Sequence, residues 1–105
     1  MKFIKTKFFH SQILKLSKKY KFLINDLSYF ENNINSEPFS DLWNNIFKYR
    51  IRNSSIPTWK RWWFRIIIKK HWNNILPIII YSKTNKENVN DKEIINALKI
   101  IFEEL

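Results

Sequence analysis

The sequence predicts a small α+β domain that is mainly α, and three observations carry that expectation. Phe9, Ile13, Leu16, Tyr20, Leu23, Leu27, Phe30 and Ile34 recur at alternating spacings of four and three, the signature of a helical seam. Asn90 and Glu93 stand where a capping box would open a C-terminal amphipathic helix. Between them lie two short isoleucine-rich runs, Ile66–Ile68 and Ile78–Ile80, whose β-branched side chains favour strands. At 105 residues the chain is one small domain with a modest core.

Taken in order, the seam predicts one long helix over 8–33, with Lys15, Lys18, Lys19 and Lys21 off the stripe and facing solvent or a phosphate. So narrow a stripe suits packing against a neighbouring helix, in this chain or in another subunit. The seam residues, Phe9 to Phe30, are therefore candidate protein-interaction positions. A polar break at 32–36 follows. Ser36 reads as the N-cap of a second helix over 36–49, with Pro38 in its first turn and Phe39, Leu42, Trp43, Ile46 and Phe47 on one face. The string Phe39-Ser40-Asp41-Leu42-Trp43 resembles the helical peptide with which a tumour-suppressor activation domain docks into its ubiquitin ligase, which marks Phe39 and Trp43 as candidate docking residues. An ordinary core face is the plainer reading.

Residues 50–82 form a basic aromatic segment. Ser54, Ser55 and Pro57 make 50–57 a loop or extended arm. Residues 58–72 read either as a helix capped by Thr58 or as a strand, with helix or mixed structure preferred for 58–70. Were 66–72 a strand, Asn73-Asn74 would supply a two-residue turn, since Asn tolerates positive φ. A strand over 78–82, with Pro77 at its start or edge, comes next. A polar loop leads to the last helix, 90–105, whose face is Ile94, Ile95, Leu98, Ile101, Phe102 and Leu105. Glu103 and Glu104 stand at its negative end, the wrong place for the dipole, and suggest a cationic partner.

Charge is distributed unevenly. No acid occurs between Asp41 and Glu87, while ten cations do: Lys48, Arg50, Arg52, Lys60, Arg61, Arg65, Lys69, Lys70, Lys83 and Lys86. The flanks nearly cancel, so the formal net charge of +10 is the charge of the middle. Four of the five tryptophans share that window: Trp59, Trp62, Trp63 and Trp72. Arg forks bond phosphate in bidentate fashion, Lys supplies point charge, and Trp rings stack on bases. The candidate nucleic-acid-binding residues are therefore Lys48, Arg50, Arg52, Trp59, Lys60, Arg61, Trp62, Arg65, Lys69 and Lys70, assisted by Lys2, Lys5 and Lys7. Six such phosphate contacts would cost about 10³-fold in affinity between 50 and 200 mM salt. An anionic lipid surface suits the same residues, because Trp and basic side chains sit at headgroup level.

Catalysis finds little support. His10 and His71 are far apart in sequence, His71 stands among cations, Ser54 and Ser55 have no base nearby, and no metal-ligand spacing occurs. Cysteine is absent, which removes disulfides and thiolate sites, and glycine is absent, which removes phosphate-cradling glycine loops. Thirteen asparagines must serve where positive φ is needed. The expectation is a non-enzymatic protein with no cofactor, metal or small-molecule substrate.

Ile, Lys, Asn and Phe dominate, Gly is missing, and Ala, Pro and Arg are scarce, yet five Trp are present. That balance follows AT-rich codons, with Trp made easy where UGA also encodes it. By composition the chain resembles unassigned reading frames of AT-rich protist mitochondrial genomes, ciliates especially. The resemblance implies an organelle-encoded, mitochondrial product. Residues 1–21 are basic and acid-free like a transit peptide but lack Arg, so no cleaved leader is expected. No apolar run is long enough for a transmembrane helix. The function expected is a structural protein of a mitochondrial ribosome, binding rRNA beside neighbouring subunits. The alternative is a peripheral subunit of a respiratory complex or ATP synthase, with its Trp/Arg/Lys segment at the membrane surface.

Overall fold

The fold is organised by a five-stranded sheet, seen in a computed structural model that describes residues 2–57, 63–83, 86 and 88–105. Strand β1 (Lys2–Phe3) precedes helices α1 (Lys7–Ser17) and α2 (Leu23–Asn32) and a 3₁₀ turn (Ile34–Ser36). Strands β2 (Phe39–Trp43), β3 (Ile46–Ile51), β4 (Phe64–His71) and β5 (Asn74–Ser82) follow, and α3 (Asp91–Glu104) closes the chain. Sheet order is β1-β5-β4-β3-β2, with β1 parallel to β5 and the other pairs antiparallel.

The described residues are about 40% helical and 31% strand, so the domain is α+β but not mainly α. The expected helix over 8–33 is two shorter helices broken at 18–22. Lysines at 15, 18, 19 and 21 place like charges three and four apart, which opposes helix at the break. Tyr20 drops into the core there, edge-on to Phe64 at 5.0 Å, with its hydroxyl 3.1 Å from Ser82 Oγ. The seam residues lie in the core of this chain, where they pack with Phe64, Ile66, Ile68 and Ile75 of the sheet. Phe9, Ile13, Tyr20, Leu23, Leu27, Phe30 and Ile34 are buried and Leu16 half-buried. They offer no outward seam to a partner.

The expected helix over 36–49 is the β2–β3 hairpin. Asn44 (φ 47°) and Asn45 (φ 63°) form its two-residue turn, both in the left-handed region that a type I′ turn requires. The helical anchor spacing of Phe39 and Trp43 is therefore absent. Phe39 is 55% exposed, and Trp43 is half-buried against the α3-side core. Within 58–72, residues 58–62 lie outside the described set, and Phe64–His71 is strand rather than helix. The second turn falls at Trp72-Asn73, one residue earlier than expected, and Trp72 carries the positive φ of 57°. Strand β5 begins at Asn74, and Pro77 sits inside it at a bulge that inserts Ile78, where a missing N–H is tolerated.

Two tertiary hydrogen-bond pairs fix α1. The Gln12 amide donates to Ile78 O and accepts from Ile80 N–H, each at 3.0 Å. It thus continues the β5 edge ladder beyond the reach of β1. Glu104 accepts from the N–H groups of Lys7 (2.7 Å) and Phe8 (2.9 Å) while Thr6 accepts from Phe9 N–H at 3.2 Å. The Glu104 carboxylate that suggested a cationic partner therefore meets the positive end of the α1 dipole. The Asn90–Glu93 capping box forms as expected. The buried stripe of α3 is Ile94, Ala97 and Ile101, while Ile95, Phe102 and Leu105 are exposed. No helix among the described residues is long and apolar enough to cross a membrane.

Candidate nucleic-acid interface

Strand alternation sorts the central cations. Along β3, Phe47, Tyr49 and Ile51 face the α1–α2 core, so Lys48 and Arg50 share the opposite face with Ile46. Along β4, Phe64, Ile66 and Ile68 face the α1–α2 core, so Arg65 and Lys69 share the other face with Ile67. Register sets Lys48 opposite Ile67, and Arg50 directly opposite Arg65. Arg65 lies opposite Tyr81 on its other side. Helix α3 packs on β5, and Ile46, Leu42 and Trp43 join its core, while Lys48, Arg50 and Arg65 lie on the same face outside that core.

Those cations border a cleft of about 630 Å³ lined by Pro38, Phe39, Ser40, Lys48, Tyr49, Arg50, Arg65, Tyr81, Lys83 and Asn88. Four cations stand in it, and no carboxylate occurs among its described lining residues. Neither Arg50 nor Arg65 has an ion-pair partner among the described residues, where the ion pairs are Lys5–Glu31 at 2.8 Å and Lys86–Glu93. Arg65 is half-buried, and its Nη1 is shut from water with no hydrogen-bond partner among the described residues. Burial, then repulsion from Arg50, holds its pKa below the ordinary arginine value. Burial raises the Tyr81 phenol, which keeps it a neutral donor at the cleft wall.

The other expected site residues are dispersed. Exposed Arg52 borders a second cleft of about 450 Å³ with Trp63 and Arg50, and Asp26 and Glu37 line it too. The two Asp26 oxygens there accept from Ser54 N–H (2.8 Å) and Ser54 Oγ (2.6 Å). Lys69 donates to Asn44 O at 3.0 Å and thereby caps the β2–β3 turn. Lys70 points to the opposite face, with Nζ 4.7 Å from the Phe47 ring centre and 5.6 Å from that of Phe39. Trp59, Lys60, Arg61 and Trp62 lie outside the described residues.

Two residues join the site unexpectedly, and a third stands apart from it. Lys83 and Tyr81 line the cleft from the end of β5. Trp72, 87% exposed at the β4–β5 tip, offers an open ring beside His71, whose own ring stands edge-on at 6.2 Å. The strict alternation Phe47-Lys48-Tyr49-Arg50-Ile51 was the sequence signal for the cationic face. Nothing local marked Lys83, which reads as part of a polar loop. No protein-family model matches the chain, and comparison with curated proteins gives no match either.

Proposed function

We propose that this chain is a structural, non-enzymatic RNA-binding protein that presents Lys48, Arg50, Arg65 and Lys83 to phosphates, with Trp72 as an outlying stacking ring. The observation that carries the reading is the cationic cleft on the sheet, with no carboxylate among its described lining residues. A sheet face left open to solvent alone would be served by mixed charges; a single sign favours a polyanion. The AT-rich composition supports a mitochondrial ribosome as the host assembly and rRNA as the ligand.

Two measurements test this. Binding to single-stranded rRNA fragments should fall about 7- to 20-fold between 50 and 200 mM salt, as two to three phosphate contacts at a slope near 0.7 each require. In gradient sedimentation of the native assembly with mass spectrometry, the chain should travel with ribosomes and leave them on high salt without detergent. Trp72, exposed near Lys69 and Lys70, favours a second reading, a peripheral subunit of a respiratory complex or ATP synthase at the membrane surface. Release only by detergent, with co-purified lipid, would select that reading instead.

A further inference from the structure

We infer that the cleft is a seat for one phosphoryl group, gripped between Arg50 and Arg65, with Lys48 and Lys83 at its rim. The inference rests on the RNA reading only for the molecule that carries the phosphate. Residues directly opposite in an antiparallel pair have Cβ atoms about 5 Å apart, and like charges there repel. Arg50 and Arg65 occupy such a pair and open into the same cleft. No described lining residue offers a counter-charge. Glu93, near enough to influence Tyr81, is engaged by Lys86 and by Asn90 N–H. Arg65 Nη1, shut from water as the structure stands, has no hydrogen-bond partner among the described residues, so its guanidinium must turn toward the cleft to meet an anion.

The chemistry selects among anions. A carboxylate has two oxygens in a plane and satisfies one guanidinium fork. A phosphoryl group is tetrahedral with several acceptor oxygens, and it can receive two forks from different directions while facing two ammonium groups. Lipid headgroups carry the same group, but a bilayer would need apolar side chains around the cleft. Apart from Phe39, the large exposed apolar residues stand on α1, α2 and α3 or their ends, or at the Trp72 tip.

The test uses the full chain, Arg50→Gln, Arg65→Gln, the double variant, and Lys15→Gln/Lys99→Gln as a control of equal charge on α1 and α3. Arg65→Lys is added as a fold-conserving variant that keeps charge and loses the fork. Inorganic phosphate at about ten times its Kd should raise Tm by roughly 5–10 °C over chloride at matched ionic strength. The control should retain that rise, and Arg65→Lys and the double variant should lose most of it. Against single-stranded RNA, two arginines on one phosphate predict that the double variant lowers the log–log salt slope by about one contact, not two. A phosphate response equal to chloride overturns the seat, and so does a slope that falls by two contacts. If RNA binding stays salt-dependent in those cases, the RNA reading survives without the seat. A phosphate response without RNA binding keeps the seat and removes the RNA reading. Loss of binding to phosphatidylcholine–cardiolipin vesicles in the double variant, with RNA binding unchanged, would overturn the assignment to RNA.

Discussion

Replacing Arg65 with Met should stabilise the free protein, an unusual sign for a half-buried residue in a central strand. Two costs disappear with the guanidinium. Its buried Nη1 has no acceptor among the described residues, and an unmet donor of that kind costs about 1–3 kcal/mol. Its cross-strand partner is Arg50, and like charges directly opposite cost about 0.2–1 kcal/mol, towards the low end here because Arg50 is exposed. Methionine is unbranched and can keep the packing of the arginine stem beside Tyr81. Allowing for imperfect repacking, the net gain should be about 1–2 kcal/mol, or roughly 5–10 °C in Tm for a domain of this size. Urea unfolding in phosphate-free, sulfate-free buffer measures it directly, with an unchanged m-value as the check that the unfolded state is the same. The ranking should narrow or reverse as phosphate is added, because only the wild type gains from a ligand at the seat. A loss of 1 kcal/mol or more in phosphate-free buffer would refute the reasoning, since it would mean that Arg65 is satisfied within the free fold.

Three further outcomes follow from the same geometry. Glu104→Ala should cost about 1 kcal/mol in urea unfolding by uncapping α1, while Glu103→Ala, with no such bonds, should stay within about 0.5 kcal/mol. Trp72→Asn should raise stability by about 1 kcal/mol, because Asn accepts the positive φ more readily. The same change should weaken single-stranded RNA binding roughly 5- to 150-fold if a base stacks on the ring; unchanged affinity would remove Trp72 from the interface. The Glu93 carboxyl is held below its ordinary pKa by its hydrogen bond from Lys86 and then by Asn90 N–H. A depressed folded value means that the stabilisation is present above the unfolded value near 4.3 and is lost as pH falls through the folded one. Tm measured from pH 6 to 3 should therefore drop more steeply for wild type than for Glu93→Gln.

Burial was more legible in the sequence than backbone path. The seam at 9–34 picked out eight residues that the fold does bury or half-bury, yet it implied one helix where there are two. Periodicity reports which side chains face the core. It stays in phase across 18–22 because Tyr20 reaches the core from a turn. The hairpin at 39–51 failed for a different reason. Phe39, Leu42, Trp43, Ile46 and Phe47 satisfy a helical stripe, but β3, which carries Ile46 and Phe47, also pairs with β4, and β4 lies in a separate stretch of sequence. The local clues were the Asn44-Asn45 pair, in a chain without glycine, and the alternation that follows it. Asn90 and Glu93 were readable because both halves of a capping box lie within one turn. Glu104 was unreadable because its partners are the backbone amides of residues at the other end of the chain. Among the cations, sequence supplied the charge and register supplied the grouping. Lys69 and Lys70 are neighbours whose side chains leave opposite faces, whereas Arg50 and Arg65 meet across strands.

The two faces of the sheet explain why the cleft is where it is. Helices α1 and α2 cover one face, and β4 buries Phe64, Ile66 and Ile68 beneath them. On the other face the helix among the described residues is α3, whose stripe of Ile94, Ala97 and Ile101 shares a core with Ile46, Ile67, Leu76, Ile78 and Tyr81, edged by Phe8, Leu42 and Trp43. Beyond that limit the sheet must be polar, because an uncovered apolar strand invites aggregation. Solvation alone would accept Ser, Thr or alternating charges there, as at Ser40 on β2. Instead the described positions past the edge of α3 carry Lys48, Arg50, Arg65 and Lys83, with two arginines in direct register. Four like charges in one recess weaken the free fold, and removing one of them should strengthen it. Under the proposed phosphate seat, an anion from another molecule would offset that penalty on entering the recess, so the stability cost in the free state and the affinity in the bound state would have one origin.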